Sequence, residues 1–461
     1  MAAGGYCPGC FEKQRKIDQL LEENARLRQN LRYQERKAQE GFFGAATPSS
    51  KIPVKGNQNA PRKPRGAKPG HPGAGRKGFT QSEADQVVHV VPEVDSTCPD
   101  CGGELEDKGE KERFVIDSQP LKARRLVYRL PKKYCPQCKK LFQPRTPGVL
   151  PKSLYGNQLM TTALVMHYLH GIPMGRVCEQ TGIGPGSLVE MFHRLSRLFE
   201  KVPAHLIEQY RHCPVKHADE TGWRTDGKNG YAWLFATEKW SIFQFRKTRS
   251  AEVAKAVFGQ AALPGILVVD RYAGYNKMPS TIQYCYAHLL REVQGLEKEF
   301  PESGEIKAFV STLAPLLALA MGLRSQPISD VRFRSEAIKV KDQILAAVDS
   351  PASHLGIRHI QDIFRQNAHR LYHWADNRAV PAENNLAARD LRPTVIARKT
   401  SFGSQSDAGA HTRGVLMTVL YSLKKQGVDV AAHLKNGLDQ LAGDIHQDPF
   451  PLLFPRDSPA S

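Results

Sequence analysis

Residues Pro264–Tyr275 read PGILVVDRYAGY, and this stretch decides the architecture. Pro264 and Gly265 punctuate its start, and Ile266–Val269 is a short unbroken run of mainly β-branched residues. Such a run suits a strand buried on both faces, although by itself it is equally compatible with a buried helical segment. Asp270 arrives as the run ends, followed by a turn at Ala273–Gly274. An acid in that place is either a cap or turn residue, or a carboxylate held at the tip of a central strand. Asp219, in VKHADETGWR, is a second acid at the end of a strand-like run.

Working outward, the pattern from Cys213 alternates between strand and helix. Strands are expected at Pro214–Ala218, Tyr231–Thr237 and Ser241–Lys247, then a helix at Ala251–Phe258 and the strand Ile266–Val269. A further strand near Ile282–Cys285 leads into a helix at Ala287–Phe300. Three strands in meander, a helix, then a strand is the order of a ribonuclease H-like α/β fold. It puts Asp219 on the first strand and Asp270 on the fourth, at one edge of the sheet. Two-metal phosphoryl chemistry needs carboxylates so placed, sharing Mg²⁺ ions about 4 Å apart.

The chain has 461 residues, long enough for two or three domains. It carries 65 Lys and Arg against 46 Asp and Glu, a net charge of +19. That excess favours a polyanionic partner, nucleic acid before membrane. No signal peptide is visible, and the longest apolar stretch, Leu313–Leu323, is short of the roughly 20 residues a spanning helix needs. A cytoplasmic protein acting on nucleoid DNA, with no membrane partner, is expected. Nine cysteines include three C-x-x-C pairs, which favour metal over disulfides in such a setting.

Eight segments are expected along the chain. Residues 1–40 hold Cys7 and Cys10, either a zinc half-site shared with another chain or two exposed thiols, and a dimerisation helix. That helix has Ile17, Asn24 and Leu31 at heptad position a, and Leu20 and Leu27 at d. One Asn at a favours a parallel dimeric coiled coil, whereas two heptads also suit an amphipathic helix docked on its own chain. Residues 41–82 contain eight basic residues and no acid, and read as a disordered spacer or a basic DNA arm through Arg62, Lys63, Arg65, Lys68, Arg76 and Lys77. In residues 83–150, Cys98, Cys101, Cys135 and Cys138 supply four thiolates for one structural zinc in a ribbon. Residues 151–210 suggest helices at Asn157–His170, Pro173–Gln180 and Ser187–Glu200, either a helix-turn-helix or a plain packing unit. The core's first part is residues 211–300, a helical insertion is 301–380, the core's final part is 381–430, and 431–461 is a C-terminal tail that looks loose after Ala442.

The ordered motifs GHPGAGRKG, YGNQLM, the zinc knuckles, HADETGWR, VVDRYAGY, CYAHLLREV, NNLAARDLRP and SLKKQG resemble those of IS66-type transposases, DDE enzymes of bacterial insertion sequences. The resemblance spans roughly residues 60–430. It implies a ribonuclease H-like core, Mg²⁺-dependent strand cleavage and joining, recognition of double-stranded DNA at terminal inverted repeats, pairing of two ends by a homodimer or higher oligomer, and small accessory proteins of the same element. Asp219 and Asp270 resemble the first and second catalytic acids. The family pattern N-N-x-A-E-R places its third acid where this chain has Ala388. Glu383 is the acid just upstream, but five helical residues rotate it about 140° away, and Asp390 lies about 160° away. The chain is therefore expected to bind DNA and to cut and join it poorly, or else to act as a DNA-binding protein derived from a transposase.

Further candidates surround this core. Cys285 and His288 form a C-x-x-H, and His369 and His373 at i, i+4 would share a helix face. The four are either a zinc site pinning the insertion or a buried Cys with capping histidines. Glu220 is expected to face away from Asp219. Trp223 is either a stacking platform for an unpaired base or core packing. Arg389, Arg392, Arg398 and Lys399 read as DNA contacts or as a solvated basic face.

Overall fold

The computed structural model describes residues 144–455 continuously, together with 123–137, 140–142, 80–83 and residues 12–13, 15–17, 19–25, 27–28 and 31. The chain divides into two compact units, Pro53–Lys122 and the remainder. Of Pro53–Lys122 the described part is residues 80–83, with a 3-10 turn at Gln81–Glu83. Cys7, Cys10, Cys98, Cys101, Cys138 and the basic residues Arg62, Lys63, Arg65, Lys68, Arg76 and Lys77 lie outside the described residues.

The described residues between 12 and 31 are helical, and Ile17, Leu20, Leu27 and Leu31 are all exposed. A short hairpin pairs Lys133–Cys135 with Lys140–Phe142. Four helices follow: α1 (Asn157–Leu164), α2 (Met174–Thr181), α3 (Pro185–Leu198) and α4 (Val202–His212). The expected single helix to His170 instead leaves α geometry at Val165–Leu169, a π-turn.

The central sheet holds β1 (Val215–Thr225), β2 (Lys228–Ala236), β3 (Ser241–Arg246), β4 (Ile266–Val269) and β5 (Thr281–Tyr284), with α5 (Ala251–Phe258) between β3 and β4. Its order is β3-β2-β1-β4-β5. The first three strands are antiparallel, and β4 and β5 run parallel to β1. β1 runs well past the expected Ala218 because Asp226 and Gly227, both at positive φ, make a tight two-residue turn into β2. β4 is buried at three of its four positions, as its apolar run requires.

Between β5 and the last helices lie α6 (Tyr286–Glu299), α7 (Gly304–Leu323), α8 (Asp330–Asp349), α9 (Leu355–Gln366) and the single turn α10 (His373–Asp376). Ser303 and Ser329 cap α7 and α8 by accepting from backbone N–H groups of the first turn. α7 extends the expected Leu313–Leu323 to 20 residues, long and apolar enough by composition to cross a bilayer. Its buried residues Ile306, Phe309, Val310, Leu313, Leu317, Ala320 and Leu323 instead form one stripe, and α7 packs between α6 and α8.

α11 (Asn385–Ser401) lies on β1 and β2, and α12 (Asp407–Lys425) runs along β3. β3 is an edge strand, yet two of its outward N–H groups are satisfied by a helix. Ser241 N donates to Ser422 Oγ at 3.1 Å and Phe243 N to Thr418 Oγ1 at 2.9 Å. Two hydroxyls at i, i+4 on one helix thus replace a missing strand. On the opposite edge, Gln283 of β5 donates to Leu371 O and accepts from Trp374 N. The looseness expected after Ala442 is also corrected. α13 (Val430–Gly443) and α14 (Pro449–Leu453) are packed helices, with Leu434, Leu438 and Leu453 buried and Asp439 accepting from the Asn157 amide at 2.8 Å.

Candidate functional site

β1 and β4 bring two acids level. Their parallel pairing runs Val215↔Ile266, Lys216↔Leu267 and His217↔Val268, and two residues further along each strand stand Asp219 and Asp270. Both are buried. Each accepts a local backbone N–H, Asp219 from Glu220 and Asp270 from Tyr272, both at 2.9 Å. Among the described residues neither forms an ion pair.

Side chains alternate along β1. Glu220 points away from Asp219, as expected, and is closed off by Arg249, whose guanidinium reaches its Oε1 at 2.6 Å, and by the Tyr275 hydroxyl, which donates to Oε2 at 2.6 Å. Burial is the largest influence on Asp219 and raises its carboxyl well above the usual range, with Glu220 and then Asp270 adding to it. Asp270 is pushed up to about 7, again by burial first and Glu220 second. Two buried carboxylates that resist ionisation and lack a cationic partner suit a hard divalent cation.

The opposite face of β1 carries His217, Asp219 and Thr221 toward α11. Asn384, just before that helix, accepts at His217 Nδ1 (2.8 Å) and donates to Ala218 O (2.8 Å). Its own N–H donates to Cys285 Sγ at 3.1 Å. At the far end of α11, Arg398 donates to Thr221 Oγ1 at 3.1 Å. Ala388 is one turn beyond Asn384, on the same helix face, and is buried. The two anchors bracket it alongside the part of β1 that holds Asp219. A methyl there offers no donor, so the carboxylates fit a metal only as an incomplete set. No cluster of three or more His, Cys, Asp or Glu is arranged for a metal among the described residues.

The two acids near position 388 differ in how they are engaged. Asp390 accepts from Ser241 Oγ at 2.7 Å and pairs with Lys425 at 2.5 Å. Glu383 is raised by burial, against the opposing pull of Arg324 and Arg389, and keeps a buried Oε2 without a partner among the described residues.

Other expectations are corrected. Cys285, His288, His369 and His373 are all described, and no three of them gather into a metal-binding group. His369 and His373 sit on separate short turns because Leu371 and Tyr372 break the helix between them, and the His373 ring bonds the His369 carbonyl. His288 is buried at both ring nitrogens without partners. Trp223 is 1% exposed, donates to Ser404 Oγ at 3.2 Å and packs edge-on against Phe245, so it cannot stack on a base. Arg398 is turned onto β1, whereas Arg389, Arg392 and Lys399 stay exposed along α11. Arg249 and Tyr275, which close off Glu220, and Arg413, discussed below, carried no local motif that would single them out.

Residues 152–412 match the description "Transposase IS66 family", and residues 95–139 match the zinc-finger binding domain of IS66 transposases. The first match covers more than half of the chain, which belongs to the IS66 transposase family. Among its relatives is the uncharacterized protein y4qI of Sinorhizobium fredii, 25% identical over 82% of this chain and 76% of that protein. Another is y4jD of the same organism, 24% identical over 85% of this chain and 84% of that protein. Membership implies a DNA-processing protein with a zinc-finger DNA-binding region.

Proposed function

We propose that this chain is a DDE-type transposase with a ribonuclease H-like core that binds the terminal inverted repeats of its insertion sequence, and that Ala388 impairs its strand chemistry. The observation that carries the reading is the level pairing of Asp219 and Asp270 on neighbouring parallel strands. The strand order with β1 flanked by β2 and β4 supports the ribonuclease H-like assignment.

Asp219 and Asp270 would hold Mg²⁺, which when bound lowers the cost of charge developing on a phosphodiester. The chain's own residues do the positioning. Asn384 and Arg398 fix α11 against β1, Arg249 and Tyr275 hold Glu220 away from the acids, and Arg389, Arg392 and Lys399 offer exposed cations for neighbouring phosphates. Water and then a 3′-hydroxyl would be the attacking groups. Cys98, Cys101, Cys135 and Cys138 would bind a structural zinc, the helix with Ile17, Leu20, Asn24, Leu27 and Leu31 would pair two copies, and action on the bacterial nucleoid follows.

Ala388 specifically favours a second reading, a DNA-binding or regulatory protein without catalysis. An assay with pre-cleaved ends of the cognate element separates the two. The chain should bind the ends specifically and join them feebly, and Ala388→Glu should join them well. Robust joining by the unmodified chain would overturn the impairment, and absence of specific end binding would overturn the transposase reading.

A further inference from the structure

The π-turn at Val165–Leu169 brings His167 and Tyr168 to the wall of a cavity of about 380 Å³. Such turns recur at functional sites, and the volume lies within the ~300–1,000 Å³ usual for small-molecule pockets. The rest of the wall comes from α2 and α3, the end of α11, the loop to α12, and the first turns of α12. Neither β4 nor Asp270, which follows it, lines this cavity.

Arg413 of α12 lines it. Its side chain is 7% exposed, donates one N–H to His167 Nε2 at 3.2 Å, and lies 5.1 Å from the ring centres of Tyr168 and Trp223. No Asp or Glu lines the cavity, and Arg413 forms no ion pair among the described residues. A guanidinium has five donors, and here one has a protein acceptor. Buried charges are ordinarily paired. The N-terminus of the 19-residue α12 adds positive potential beside it, with Ser406 and Gly409 in the wall. Asp407, the acid of that first turn, is turned away to Lys247 at 2.6 Å. Ile172, Met174, Val189 and Phe192 give the wall its apolar surface.

We propose that this cavity binds a nucleoside 5′-phosphate, its phosphate on Arg413 and the start of α12 and its base against Val189 and Phe192. The phosphate follows from the unpaired guanidinium, and the nucleoside from the apolar wall. The choice of nucleotide over other organic phosphates rests on the DNA-processing reading above. The carrier is either a free nucleotide or the 5′-phosphorylated end of a DNA strand.

Calorimetric titration of the full chain tests this with dAMP, deoxyadenosine, inorganic phosphate and a 5′-phosphorylated single-stranded oligonucleotide. dAMP should bind at least about tenfold more tightly than deoxyadenosine or phosphate alone. Val189→Trp fills the apolar wall from a position 40% exposed and leaves Arg413 in place, so it should fold normally and weaken dAMP at least tenfold. Arg413→Gln should do the same. Equal affinity for dAMP and deoxyadenosine, or unchanged dAMP affinity in Val189→Trp, would overturn the proposal. Competition between oligonucleotide and dAMP identifies a strand end as the carrier, and its absence identifies the free nucleotide. Strand joining does not enter the measurement, so its failure and this one are separable.

Discussion

Asp219 and Asp270 stand two residues beyond the last mutual pair of β1 and β4, His217 with Val268, and so lie level with one another, Asp219 within β1 and Asp270 just past the end of β4. Burial and the nearby Glu220 lift both above the ordinary carboxylate range. The protein thus holds two reluctant anions on neighbouring strands, and the consequences can be measured.

Carboxylates raised in the fold bind more protons folded than unfolded, so their contribution is full below the unfolded value and is lost as pH climbs through the folded one. For Asp270 that window runs from its ordinary 3.8 to about 7. In metal-free protein, Asp270→Asn should raise Tm by several degrees at pH 7.5 and flatten the decline between these values. A Tm unchanged at pH 7.5 would argue against the burial described.

Added Mg²⁺ should raise the Tm of the unmodified protein at pH 7.5, because a ligand that binds only the folded state stabilises it. Asp219→Asn with Asp270→Asn should abolish that rise. A rise that survives in the double variant would place the cation elsewhere.

Ala388→Glu restores a carboxylate on the turn of α11 bracketed by Asn384 and Arg398. Metal coordination contributes several kcal/mol to such transition states, about 10²-fold or more in rate. Joining of pre-cleaved ends should rise by at least that factor, while end-binding affinity stays within a few-fold.

Asn384→Ala leaves His217 Nδ1 and Ala218 O buried without their partner. Each orphaned group costs about 1–3 kcal/mol, so urea unfolding should show a loss of at least about 2 kcal/mol. A smaller loss would mean that α11 is held on β1 mainly by its apolar contacts.

Much of this was legible because the signals were local. The apolar run Ile266–Val269 needed burial on both faces, and Asp270 followed it directly. The Asp226-Gly227 turn was also readable, and weighing it would have extended β1 to Thr225. Long-range placement was not readable. The sequence around Trp223 does not reveal that Ser404 and Phe245 enclose it, and the i, i+4 spacing of His369 and His373 presumed a helix that Leu371 and Tyr372 interrupt. Arg398 sits in a basic run that looks solvated until α11 is docked on β1. Arg413 stands in an apolar helix, where only the fold shows that no acid comes near it.

The hydroxyls of Thr418 and Ser422 occupy the outward N–H groups of Ser241 and Phe243, so along that stretch the β3 border of the sheet is closed to a guest strand. A second copy cannot be zipped on backbone to backbone along that stretch of β3. The border there is sealed by side chains of a helix, an attachment that substitution can tune without unravelling the sheet.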